Sequence, residues 1–344
     1  GRRRVFLASV LGFSATTCAT GFARSPAEFV FMQMVCRTFM IAAAATSVVI
    51  ITEEFPAKDR GWGLGMMGAL AACGHGLGAA LFAAIEYLPY GWRALYVFGL
   101  APLLLFPLLR RGVAETHRYL DHHQKRIASG DSTTGLAGWA RPLKRLFTSY
   151  RGRMAGLTAV SLFAAFGAAS VFQFSGYYLL KELAWTPGQY SLMVIVAGAF
   201  GIIGNVAAGR LGDRIGRRGV GVIFLVTFPA AAWLFFNGRG SILPLAWMMV
   251  IFSWTACDVI MKALSTELFP TSYRGTASGW LIFTQTLGWA GGLGLNALTI
   301  EALGGMARTT WALSLLMLGA TIALLFLPET RRRELEDISQ DQRG

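Results

Sequence analysis

Thr52-Glu53-Glu54-Phe55-Pro56-Ala57-Lys58-Asp59-Arg60-Gly61 returns as Thr266-Glu267-Leu268-Phe269-Pro270-Thr271-Ser272-Tyr273-Arg274-Gly275. The threonine, glutamate, phenylalanine, proline, arginine and glycine keep one offset of 214 residues, as from 52 to 266. The same offset carries Gly65 onto Gly279, and Gly74 and Gly78 onto Gly288 and Gly292. It also carries Glu115-Thr116-x-Arg118 onto Glu329-Thr330-x-Arg332. One offset kept across separated patches marks an internal repeat, so the chain holds two related halves of equal topology.

The composition says where those halves lie. Of 344 residues, 54% are apolar and 14% charged, with a further 41 glycines and a net charge of +13; the mean hydropathy is +0.51. Soluble domains carry about 25% charged residues. The apolar residues gather into ten runs, 5–22, 28–51, 62–84, 92–109, 154–180, 188–209, 219–236, 242–264, 276–298 and 308–328. Each is long enough to cross ~30 Å of hydrocarbon as a helix. A transmembrane barrel would instead show short alternating segments. The expectation is an all-α polytopic membrane protein with ten transmembrane helices.

The basic residues follow the runs. With a cytoplasmic N-terminus, the cytoplasmic segments hold 24 of the 31 Lys and Arg, the opposite loops hold five (Arg24, Arg93, Lys181, Arg239, Arg308), and Arg37 and Lys262 lie within runs. That asymmetry fixes orientation by the positive-inside rule, and the expected location is the plasma (inner) membrane. Charge confined to short loops argues against nucleic acid as a partner, and the bilayer takes its place. Cys18, Cys36, Cys73 and Cys257 fall inside runs and read as packing residues. No cofactor is expected: there is no Walker motif, the glycines of 201–219 follow no strand, and His117, His122 and His123 do not make a metal site. No cluster of catalytic spacing is present, so the chain reads as a non-enzyme.

The repeat also predicts a gap. Gly216-Arg217-Arg218 pairs with Gly1-Arg2-Arg3, and two runs upstream of Gly216 have no first-half counterpart. The reading is a fragment lacking its first two helices, inactive by itself. It divides into four helices of an N-terminal bundle (1–109), a cytoplasmic interdomain loop (110–153), a six-helix C-terminal bundle (154–328) and a cytoplasmic tail (329–344).

Gly209-Arg210-Leu211-Gly212-Asp213-Arg214-Ile215-Gly216-Arg217-Arg218 resembles the loop signature of the major facilitator superfamily. The paired Glu-x-Phe-Pro motif and Pro328-Glu329-Thr330-Arg331-Arg332-Arg333 resemble its sugar-porter and organic-ion branches. The resemblance implies two six-helix bundles that rock about a midplane site. Ala114-Glu115-Thr116-His117-Arg118 departs from the sugar porters, and Gly74-His75-Gly76-Leu77-Gly78 departs from the drug antiporters. The metabolite, aromatic-acid and synaptic-vesicle-protein-like branches remain.

Two groups of residues carry the expected chemistry. At the cytoplasmic edge lie Gly209, Asp213, Arg214, Gly216, Arg217, Arg218, Glu53, Arg60, Glu267, Arg274 and Glu329. Carboxylates there can pair with arginines or accept from helix-start N–H groups; one reading is a conformational latch, the other simple capping and topology. Inside the membrane, Arg37, Asp258 and Lys262 are costly charges of the kind that marks function. Asp258 and Lys262 share a helix face with Trp254. Ser170, Gln173, Phe174 and Tyr177 form one stripe, and Gln285, Trp289, Gly292 and Asn296 another. Amides beside aromatics suit a pocket for a small organic molecule; inter-helix hydrogen bonding is the other reading. In the sugar porters the Arg equivalent to Arg37 looks toward a proton-carrying acid on the first helix. The expected function is a monomeric secondary transporter of a small organic metabolite, an organic anion or carboxylate, coupled to protons and working by alternating access. A drug/proton antiporter and a non-transporting membrane sensor are the alternatives.

Overall fold

The computed structural model describes residues 2–54, 60–115, 136–270 and 273–330. The chain forms two units, Gly1–Ser132 and Thr133–Gly344. Every regular element among the described residues is helical, as a chain must be when hydrocarbon offers its backbone no outside partner.

Unit 1 contains α1 (Arg2–Thr20), α2 (Pro26–Glu54), α3 (Arg60–Ala83), α4 (Trp92–Val97), α5 (Ala101–Leu104) and α6 (Phe106–Gly112). The run expected as one helix over 92–109 is thus broken into α4, α5 and α6, with a 3-10 turn at Phe98–Leu100. Pro102 and Pro107 explain the breaks. Each sits in the first turn of its helix, where a missing N–H costs least. Small residues bring α1 and α2 together: Gly12 faces the Phe39 ring, and Thr17 Oγ1 lies 3.1 Å from Cys36 Sγ.

Unit 2 contains α7 (Leu136–Ser149), α8 (Arg151–Tyr177), α9 (Pro187–Ile215), α10 (Arg217–Asn237), α11 (Ile242–Glu267), α12 (Arg274–Thr299), α13 (Met306–Ser314) and α14 (Met317–Leu325). A π-helical turn, Tyr178–Glu182, extends α8. Thr186 and Gln189 start α9 with a reciprocal capping box, which satisfies two orphan donors. The core is apolar and closed, with Leu157, Phe228, Phe235 and Leu264 fully buried. Helix α7 lies in the segment expected to be loop. Its apolar stripe is too short and too basic to read as a span, yet Leu146 is fully buried and the Phe147 ring meets Trp280 edge-on at 5.0 Å.

Seven stretches are long and apolar enough to cross a membrane: Pro26–Ser47, Trp92–Gly112, Arg151–Glu182, Pro187–Gly212, Arg217–Asn237, Ile242–Glu267 and Met306–Leu325. The other three expected spans are helical as Arg2–Thr20, Arg60–Ala83 and Arg274–Thr299. The glycines, hydroxyls and charges of Arg2–Thr20 and Arg274–Thr299 make them less apolar than the seven, while Leu70–Ala83 is a shorter apolar stretch of Arg60–Ala83.

Helix α12 packs on α8 through glycines. A Cβ on Gly288 would lie 2.6 Å from Ala165 Cβ, and one on Gly292 2.6 Å from the Phe166 carbonyl oxygen. Close approach of this kind lets side chains hydrogen-bond across the seam: Ser161 Oγ to Thr284 Oγ1 at 2.6 Å, and Trp280 Nε1 to Thr158 Oγ1 at 2.8 Å. The repeat partners Gly74 and Gly78 differ. Among the described residues, nothing lies within 4 Å of a Cβ at either. Gly292→Leu is therefore expected to lower the thermal midpoint in detergent, costing about 1–3 kcal/mol, while Gly78→Leu leaves it unchanged or raised. Equal effects at both positions would remove this account of the α8–α12 seam.

Candidate functional site

Three helix ends of unit 2 meet at Arg217, the first residue of α10. Its Nη2 lies 3.1 Å from Glu267 Oε1 at the end of α11, and its Nε donates to Glu267 Oε2 at 3.4 Å. Thr330 Oγ1 donates to the same Glu267 Oε2 at 2.6 Å. Glu329 lies beyond α14 and accepts from the backbone N–H of Arg217 at 2.8 Å and of Arg218 at 3.0 Å. Those donors have no partner within α10, and a carboxylate is favoured at the positive end of the helix. Gly216 makes the approach feasible. Its φ is +103°, and a Cβ there would lie 2.6 Å from Glu329 Oε2. The Arg217 guanidinium folds back along the last turn of α9, with Nη1 donating to the Gly209 carbonyl at 3.4 Å.

Unit 1 makes the same contact. The N–H of Arg3 donates to Glu115 Oε1 at 3.3 Å, a separation of 112 residues, equal to that of Arg217 and Glu329. Arg3 Nη2 donates to the Arg110 carbonyl and Arg218 Nη2 to the Leu325 carbonyl, both across 107 residues. Arg3 thus stands for Arg217 in the backbone bond and for Arg218 in the side-chain bond, so the two halves repeat the kind of contact with a shift of one residue. Sequence reasoning missed Thr330 and Arg153 in this cluster. Arg153 is buried and donates from Nη1 to the Leu268 carbonyl at 3.0 Å, a cation at the negative end of α11. The side chains of Glu53, Arg60, Asp213 and Arg274 lie outside the described residues. Arg214 is exposed.

Within the membrane-spanning part of unit 2, Lys262 Nζ lies 2.6 Å from Asp258 Oδ2 across one turn of α11. Gln285 of α12 donates from Nε2 to Asp258 Oδ1 at 3.4 Å. Asp258 thus faces one cation and one amide donor. The Lys262 side chain is 65% exposed against 26% for Asp258, and among the described residues the ammonium, which has three donors, meets Asp258 alone. Trp254 and Trp289 stand edge to face at 5.8 Å. Phe172 touches both, at 5.7 and 5.8 Å, and also Trp247 at 5.7 Å. Phe172 is the centre of this aromatic group and was absent from the predicted stripe. Its neighbours Gln173 and Tyr177 are exposed and Phe174 is half-buried.

The remaining predicted residues fall elsewhere. Asn296 is buried and donates to Thr310 Oγ1 at 3.4 Å, and Ser170 donates to the Gly292 carbonyl at 3.3 Å; both bonds join helices of unit 2. His75 bonds the Ala71 carbonyl of its own helix at 2.9 Å. Arg37 is exposed on α2 and makes no ion pair among the described residues. No group of three or more metal-ligating side chains occurs among the described residues.

The cluster at Arg217 makes a stability prediction. Glu329→Ala strips the acceptor from two helix-start donors and is expected to cost about 1–2 kcal/mol, read as a lower thermal midpoint. Glu301→Ala, in an exposed loop, is the control; equal midpoints for the two variants would show that the cap contributes nothing.

A family model described as Major Facilitator Superfamily matches residues 1–178 and 157–343. The cis,cis-muconate transport protein of Acinetobacter baylyi is 28% identical over 84% of this chain and 70% of its own length. The gallate transporter of Pseudomonas putida is 26% identical over 82% of this chain and 67% of its own. The crystal structure of a D-xylose-proton symporter superposes with a TM-score of 0.74 at 19% identity, covering 97% of this chain and 82% of that one, which speaks to the fold alone. With apolar spans, a duplicated half and a family match over both copies, the chain is an integral membrane transporter of the major facilitator superfamily and not an enzyme.

Proposed function

We propose that this chain is a secondary transporter of a small organic anion, an aromatic or unsaturated carboxylate, coupled to protons and located in the inner membrane as a monomer. The observation that carries the proposal is the Asp258–Lys262–Gln285 group beside Trp254 and Trp289. Intramembrane charge is expensive and persists where it has work to do. Lys262 offers ammonium donors to a carboxylate, and the indole rings offer apolar edges and faces to a planar carbon skeleton. Relatives named for muconate and gallate transport support that substrate class.

In this reading the same pair carries the proton coupling. A proton on Asp258 releases Lys262 from its partner, so the lysine can take a carboxylate in its place. Proton and anion then enter together, and the site keeps its net charge. Arg37, Gln173, Phe174, Tyr177 and Asn296 remain proposed members of the pathway. The carboxylate-capped cluster at Arg217, with its copy at Arg3, acts in this reading as a latch that breaks when the transporter changes state.

Ten spans and two bundles are part of the same proposal.

The test is binding to the purified chain, followed by quenching of tryptophan fluorescence with a panel of aromatic carboxylates. Lys262→Gln is expected to raise Kd roughly 10- to 100-fold, the loss of a charged hydrogen bond of about 1.5–3 kcal/mol. Asp258→Asn, which frees Lys262 from its partner, should bind at least as tightly as the parent. A Lys262→Gln variant with parental affinity, or an Asp258→Asn variant that binds more weakly than the parent, contradicts the proposal.

A further inference from the structure

Unit 1 carries a cavity system at the turn between α1 and α2, the end that the loop charges assign to the non-cytoplasmic side. The turn between α1 and α2 and the turn entering α4 enclose a cleft of about 690 Å³. Its walls are apolar, with Phe22, Leu88, Val97 and Phe98 among them, and Arg24 and Arg93 stand at its rim. An adjoining hollow of about 560 Å³ shares Arg24 and Arg93 and is backed by Phe29, Trp92 and Tyr96. Those three rings hold one another edge to face at 5.8–5.9 Å.

The arginines are unusual for where they sit. Only five basic residues lie in the non-cytoplasmic loops, and two of the five share this rim. Arg93 Nη2 donates to the Ala23 carbonyl at 3.2 Å, and its guanidinium carbon lies 4.6 Å from the Trp92 ring centroid. Neither arginine makes an ion pair among the described residues. The nearby acid, Glu28, accepts from the Arg24 backbone N–H at 2.8 Å. Tyr87 and Tyr90 are each 88% exposed beside the cleft, as residues of a membrane–water interface are. Val97 and Phe98 lie one to two turns inside the span that begins at Trp92.

We infer that this cleft binds an anionic phospholipid of the outer leaflet, its phosphate held by Arg24 and Arg93 and an acyl chain lying along Phe22, Val97 and Phe98. Guanidinium groups present forked donors that match phosphate oxygens, and the apolar wall takes the chain by burial. The site is separate from the Asp258–Lys262 group and does not depend on the substrate proposed for it.

The test is native mass spectrometry of the purified chain with phosphatidylglycerol and with phosphatidylcholine of the same chains. The parent should retain phosphatidylglycerol selectively. The double variant Arg24→Gln/Arg93→Gln should retain it roughly 20- to 30-fold less, since each arginine near a membrane surface contributes about 1 kcal/mol toward anionic lipid. Ala94→Trp, which fills the cleft and keeps both arginines, should also lose retention, and it carries the test if the double variant does not fold. Arg239→Gln and Arg308→Gln, on the same side of the membrane, should behave as the parent. Undiminished retention in the double variant or in Ala94→Trp overturns the inference. So does inorganic phosphate displacing phosphatidylglycerol at equal concentration, which would make the rim an anion site without a lipid.

Discussion

A backbone carbonyl or N–H left without a partner in hydrocarbon costs several kcal/mol, and that constraint orders everything else in this chain. It makes each span a helix, and it moves the unsolved part of the problem to the helix ends, where four donors or four acceptors lie open. The chain solves two of those ends identically. A glutamate from beyond the last helix of each half, Glu115 or Glu329, folds back onto the N–H groups that open a helix 112 residues earlier. The acid is thus paired with a helix dipole and with arginines at the water's edge, where both charges are tolerable. Tying the start of α10 to the ends of α11 and α14 sets the spacing of three helices from one small network of bonds.

The same constraint makes the interior charges of unit 2 informative. Asp258 and Lys262 neutralise each other one turn apart, so the bilayer-spanning helix can contain them. The pair is nevertheless lopsided: lysine exposed, aspartate more enclosed and held by Gln285. A pair serving assembly alone would be satisfied on both sides. This one keeps the lysine exposed on the helix that carries Trp254, which is the feature the proposed carboxylate would use.

Much of this was legible in the sequence because it rests on periodicity and spacing. The offset of 214 residues located the glutamates whose hydrogen bonds repeat, and the four-residue spacing of Asp258 and Lys262 placed them on one face. What escaped depends on tertiary register. Phe172, not Gln173 or Phe174, meets Trp254 and Trp289, because the pitch of α8 against α11 and α12 rotates the stripe by one residue, and no property of the helix alone records that. Asn296 and Ser170 sit on apparently polar stripes yet bond across helix seams within unit 2. Helix α7 escaped for a different reason. It is too short and basic for a hydropathy reading, and becomes visible only once Leu146 and Phe147 have a surface to pack against.

The central claim is that the exposed ammonium of Lys262 receives the substrate's carboxylate. A structure of the protein with a bound aromatic carboxylate, determined by electron cryo-microscopy, tests it most directly. The account predicts a carboxylate oxygen about 2.7–2.9 Å from Lys262 Nζ, with the ring against Trp254 and Trp289 and the Asp258–Lys262 contact lengthened. A ligand seated elsewhere, with that contact unchanged, would contradict it.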